Sequence, residues 1–160
     1  MASRLLAAAC HVSPITLSAQ KTIQNASPYP PSFKTLANLV VFPEPYIPAF
    51  PGWIALLAPN QRHDFFERVA KESIYIDSVK MNAIRHATKQ TGNIVCLGIS
   101  EKLRYSTATL FNSNAIIEPD GNILVHHRKL MQPSSKSSCK VLVVGMDYEL
   151  LKRNLGRLER

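Results

Sequence analysis

The chain has 160 residues, 46% hydrophobic and 19% charged, which suits one globular domain with a buried core. Its net charge of +8 raises the question of nucleic acid, but the charge is dispersed: 13 basic against 8 acidic residues over 1–131, then 6 against 3 over 132–160. With no arginine stripe and no aromatic interleaving to stack bases, no nucleic-acid partner is expected. Three cysteines without a C-x-x-C pair argue against a disulfide framework or zinc knuckle, so no cysteine-held metal is expected. Free thiols suit a reducing, cytoplasmic setting, and no window of 18 apolar residues predicts a membrane span.

In chain order, RLLAAACHV (4–12) reads as a buried strand in preference to a targeting segment. SAQKTIQNA (18–26) begins as a helix with Ser18 as its N-cap and runs into Pro28, Pro30 and Pro31, which forbid continuation. NLVVFP (38–43) is a short β-branched run expected in a buried, parallel strand. Pro43 ends it, and the proline-rich stretch to Pro51 is a rigid irregular loop.

DFFERVAKES (64–73) places Phe65, Phe66, Val69 and Ala70 on one helical face. A second helix is expected over 78–91, with Asp77 as N-cap, Gly92 past its end, and Val79, Ala83, Ile84 and Ala87 buried. NIVCLGI (93–99) is a further buried strand. STATLFNSNAII (106–117) and NILVHHRKL (122–130) form a hairpin about the turn EPDG (118–121). Beyond Met131 the chain changes character: a serine-rich linker, a strand-like KVLVVG, and an amphipathic helix carrying Tyr148, Leu151, Leu155 and Leu158. The order of elements argues for an α/β sandwich. Residues 1–131 form its domain portion and 132–160 a divergent tail.

Two side chains carry candidate chemistry. Glu44 is held between Pro43 and Pro45 at the carboxyl end of a predicted central strand, where open α/β sheets bind ligands. A carboxylate of fixed direction suits a general base. Lys129 closes the hairpin's second strand; alternation puts it on the face of His127 and sends Arg128 to the other. A lysine there can stabilise a developing oxyanion.

VVFPEPYIPAFPGW, LGISEK, ATLFNSNAIIEPDG and LVHHRKLM occur in that order and resemble the nitrilase branch of the carbon–nitrogen hydrolase superfamily, over residues 4–26 and 37–131. RLLAAACHVSPITLSAQKT is similar to the first strand of the fungal type, the arylacetonitrilase-like members. The resemblance implies an α-β-β-α sandwich, here its N-terminal half and so incomplete. It also implies hydrolysis of a nitrile to a carboxylic acid and ammonia through a cysteine thioimidate, without cofactor, with Glu44 as base and Lys129 as stabiliser of the tetrahedral intermediate.

The family's nucleophile stands in a Cys-Trp-Glu or Cys-Gly-Glu context that this sequence lacks. Cys139, in SSCKVLV, precedes a strand-like run instead of following one, and Cys10 and Cys96 fall within predicted strands. The likeness also breaks over 27–36 and past 131, as altered splicing or a frameshift would produce. The 160-residue chain is therefore expected to be inactive by itself. Its alternative role is that of a non-catalytic fragment or pseudoenzyme bound to a full-length relative, and oligomers are implied by the family. Tyr46, Phe50 and Trp53 are expected to wall a substrate pocket beside Glu44.

Overall fold

The computed structural model describes residues 6–26 and 37–129. The break at 27–36, the tail past 131 and Cys139 lie outside them. The described elements are β1 (Ala7–Ala9), α1 (Ala19–Ala26), β2 (Leu39–Val41), α2 (His63–Glu72), α3 (Val79–Thr91), β3 (Ile94–Leu103), β4 (Ser106–Ile117) and β5 (Ile123–Arg128), with two short 3-10 turns at Gly52–Ala55 and Pro59–Gln61.

The strands form one mixed sheet in the order β1-β2-β3-β4-β5. The first three are parallel and joined by helical crossovers, as parallel neighbours require. β3, β4 and β5 are antiparallel. The EPDG turn is confirmed: the Gly121 amide donates to the Glu118 carbonyl at 2.8 Å, and Gly121 adopts φ +84°. That left-handed conformation suits glycine, and any Cβ there would also meet the Arg85 carbonyl oxygen at 2.8 Å.

Alternation divides the sheet into two faces. Val95, Leu97 and Ile99 of β3, with Ala115 and Ile117 of β4, lie on the helix side and join Ile23 of α1 and Met81 of α3 in the core. Cys96, Gly98 and Ser100, with Asn112, Asn114 and Ile116, lie on the opposite face. There Val41 and Cys96 are half-buried.

Helix ends follow local chemistry. The Ser18 hydroxyl accepts from the Lys21 amide at 3.4 Å, and the Glu72 carboxylate accepts from the Ala19 amide at 2.8 Å, so α1 has a carboxylate on its N-terminus. The cap of α3 is Ser78, not the expected Asp77: its hydroxyl accepts from the Met81 amide at 3.2 Å. Asp77 instead forms a bidentate pair with Arg104, 3.0 Å at each contact.

The buried face of α3 also differs from expectation. Met81 and Thr88 are enclosed and Ile84 is packed on the core, while Val79 is 84% exposed. Residues two apart on a helix point about 200° apart, so burying Met81 turns Val79 to solvent. Gly92 terminates α3 in the left-handed region, as expected.

Candidate active site

The chain leaving β2 does not leave the sheet. The Phe42 amide donates to the Cys96 carbonyl, and the amides of Tyr46 and Ile47 both donate to the Gly98 carbonyl. Ile47 then pairs with Ile99, and the Ser100 amide donates to the Ile47 carbonyl at 2.7 Å. Pro43, Glu44 and Pro45 therefore form a bulge between two stretches that follow β3, because the two prolines have no amide to give the ladder. The Glu44–Pro45 and Ile47–Pro48 bonds are cis.

Gly98 lies directly under that bulge. A Cβ on it would sit 2.7 Å from the Pro43 carbonyl oxygen, 2.8 Å from Glu44 Cα and 3.3 Å from Pro45 Cα. The glycine in LGISEK thus permits the backbone of the acidic loop to rest on the sheet.

Because β5 is antiparallel to β4, which is antiparallel to β3, β5 runs in the direction of β2 and β3. The carboxyl ends of β2 and β5 consequently share one end of the sheet. Glu44 and Lys129, 85 positions apart, meet there: Lys129 Nζ donates to Glu44 Oε1 at 2.6 Å. The side chains are 41% and 34% exposed, so the pair is open to solvent in this chain. Asn112 of β4 completes the group. Its Nδ2 donates to the same oxygen, Oε1, and its backbone carbonyl accepts from the Lys129 amide at 2.8 Å.

On the helix side of the sheet lies a second charged group. Glu101, 1% exposed, accepts from Ser113 Oγ (2.6 Å), Arg128 Nη2 (2.6 Å) and Arg128 Nε (3.1 Å), and pairs with His126 Nε2 (2.8 Å). Burial by itself would raise the Glu101 pKa; hydrogen bonds from His126, Arg128 and Ser113 outweigh it and hold the carboxyl down at about 2. Arg128 also covers the Phe111 ring at 5.2 Å. The adjacent residues Arg128 and Lys129 thus serve opposite faces of the sheet.

Asn112, Gly98 and the Glu101 group escaped the sequence reading, although each lies in a motif it quoted. A usable signal was the shared parity of Glu101, Ser113, His126 and Arg128 across the antiparallel strands.

The aromatic wall is corrected. Tyr46 is fully buried on the helix side, with its ring centroid 4.7 Å from that of Phe42, and it lines an apolar cavity with Ile23, Ile84 and Leu97. Burial raises the pKa of its hydroxyl, and Cys10 adds to the shift. Resumption of the ladder at Tyr46 fixes its side. Trp53 packs against Phe65 (5.2 Å) and Phe66 (4.8 Å) of α2, and Phe50 is 66% exposed.

Among the described residues no three histidine, cysteine or carboxylate side chains cluster to hold a metal, and no helix is long and apolar enough to cross a membrane. Cys96 Sγ donates to Asn114 Oδ1 at 3.3 Å, and burial raises its pKa.

A five-stranded mixed sheet with α1 and α3 packed on one face, and an acid and a lysine joined at its strand tips, defines an α/β protein with a charged pair at the carboxyl ends of its strands. The carbon-nitrogen hydrolase family model matches residues 6–151, and the chain belongs to that family. It is similar to a nitrilase of Penicillium rubens (38% identity over 61% of this chain and 29% of that protein) and an arylacetonitrilase of Hypocrea virens (40% over 59% and 27%). It is also similar to a cyanide hydratase of Gibberella zeae (36% over 58% and 25%). These matches span under a third of each relative's length. Among solved structures, a carbon-nitrogen hydrolase from Helicobacter pylori superposes with TM-score 0.55 at 18% identity, covering 89% of this chain and 44% of that one. An amidase from Nesterenkonia sp. gives 0.59 at 11%, covering 89% and 49%. The fold is that of carbon–nitrogen hydrolases, over about half of the domain.

Proposed function

We propose that this chain carries the base and the cation of a nitrile-hydrolysing site and that its 160 residues do not supply the nucleophile. Glu44 acts as general base and Lys129 holds the charge of the tetrahedral intermediate. The reaction is nitrile plus two waters to carboxylic acid plus ammonia, through a thioimidate on a cysteine. The 2.6 Å contact between Lys129 Nζ and Glu44 Oε1 carries this reading, since no local feature of the sequence forces those side chains together.

The described cysteines suit the role of nucleophile poorly. Burial disfavours the Cys96 thiolate, and Cys10 is buried in the core. The names of the relatives favour an organic nitrile, with cyanide as the competing substrate. The test is product release by the purified chain: ammonia from phenylacetonitrile, and formamide or ammonia from cyanide. No release above buffer is expected; release that disappears in Glu44→Gln overturns the inactivity.

A second reading rests on coverage. The chain matches about half of a solved family chain and leaves Val41 and Cys96 only partly buried on the sheet face away from α1 and α3. In this reading the chain is a non-catalytic partner of a full-length nitrilase. Co-expression with such an enzyme and co-purification in fixed stoichiometry supports it; a monodisperse, folded monomer that fails to co-purify rejects it.

A further inference from the structure

We propose that Asn112 is a positioning residue that, together with Lys129, occupies one oxygen of Glu44 and reserves the other for proton exchange. The inference rests on the reading of Glu44 as the base. Three observations carry it.

The first is convergence. Asn112 Nδ2 and Lys129 Nζ both donate to Oε1 of Glu44, and among the described residues Oε2 has no partner. A carboxylate offers about four lone-pair sites on two oxygens. With two donors on Oε1, the oxygen able to accept a proton is Oε2, and a proton taken by Glu44 arrives at Oε2 and departs from it.

The second is economy of placement. The same residue fixes both members of the pair, because the Asn112 carbonyl accepts from the Lys129 backbone amide while its side chain holds Glu44. Asn112 is opposite Ser100 in the β3–β4 register, on the face that also carries Gly98 beneath the acidic bulge. One position of β4 therefore ties the β2 loop to the β5 terminus.

The third is an unpartnered atom. Asn112 Oδ1 is buried without a hydrogen bond, which is costly for an amide oxygen. Rotating the amide would satisfy nothing: it would set Oδ1 against the Glu44 carboxylate and remove the donor. The cost is tolerated because the donor is required on the Glu44 side.

The experiment is side-chain NMR on the full labelled chain, following the Asn112 amide protons, the Lys129 ammonium group and the Glu44 carboxyl carbon. In the wild type the Asn112 amide shift is expected to follow ionisation of Glu44 through a pH series, and in Glu44→Gln to become flat. In Asn112→Asp, isosteric but without the donor, and in Asn112→Ala, the hydrogen-bond coupling between Lys129 nitrogen and the Glu44 carboxyl is expected to be lost, with the backbone spectrum of β3 and the helices retained.

An Asn112 amide that ignores Glu44 in the wild type overturns the proposal, as does a Lys129–Glu44 coupling that survives both substitutions. If either Asn112 variant fails to fold, the wild-type and Glu44→Gln series still decides. Absence of nitrile hydrolysis in every assembly of the chain would remove the functional reading and leave these resonances unmoved, so the two failures are distinguishable.

Discussion

Replacing Gly98 by alanine tests whether the acidic bulge depends on the bare backbone beneath it. Gly98 has no left-handed φ, so the substitution carries no conformational penalty of its own. In a strand, alanine is the better residue by about 0.5–1 kcal/mol. The steric term acts the other way. The new methyl would sit 2.7 Å and 2.8 Å from two backbone atoms of the Pro43–Glu44 segment, and neither is the end of a flexible side chain.

Relief requires the bulge or β3 to shift by roughly half an ångström or more, and overpacking of this kind costs about 1–3 kcal/mol. The expected result is a net loss of stability of about 1–2 kcal/mol, or some 2–4 °C in Tm per kcal/mol for a chain of this size. The Lys129–Glu44 contact should weaken as well, read by side-chain NMR. In any assembly that hydrolyses nitriles, a displacement approaching 1 Å would lower the rate by about 10²-fold. Calorimetry or denaturant unfolding gives the sign. A variant as stable as the wild type or more so, with the pair intact, refutes the argument that Gly98 seats Glu44.

Other outcomes follow from the same geometry. Glu101 has a folded pKa of about 2, below its ordinary 4.5, so its contribution of about 3 kcal/mol is fully present above pH 4.5 and lost as pH falls toward 2; acid unfolding followed by circular dichroism should show this decline. Glu101→Gln should flatten it and lower stability at neutral pH by about 3 kcal/mol or more, because Arg128 loses its buried partner. Ser78→Ala should cost about 1 kcal/mol through the lost cap of α3, whereas Asp77→Ala should leave stability nearly unchanged because its pair with Arg104 is exposed; equal effects in urea unfolding would contradict the capping assignment. Glu44→Gln and Lys129→Met should each leave Tm within a few degrees of wild type, since the pair is solvent-accessible, and a large loss would assign it to the fold instead.

Much of the described architecture was legible because local signals agreed with one another. The β4 strand falls over Ser106–Ile117 as the alternation indicated, and the EPDG turn and the glycine ending α3 have the chemistry their positions need. The errors have physical sources. β3 extends to Leu103, beyond the apolar run, because Glu101 is buried by ion pairs and bonds that a one-dimensional pattern does not display. Ser78 outcompeted Asp77 for the α3 cap, and that start turned Met81 inward. At the site, the prolines on either side of Glu44 at a strand's end made it conspicuous, and strand-end position did the same for Lys129. Asn112 gave no such mark: its amide matters only once the loop after β2 and the end of β5 meet beside it. Tyr46 misled because a residue two positions from an acid can lie on the other side of a sheet.

The strand arrangement also ties the site to the order of assembly. Glu44 enters on a parallel strand that needs a helical crossover, and Lys129 arrives only after the hairpin has added its outer strand. A contact between such distant positions has to wait for the slower, non-local pairings. It therefore serves as a completion signal: a spectroscopic reporter at this junction would stay silent in every partly assembled sheet and respond only when β2 and β5 are both seated.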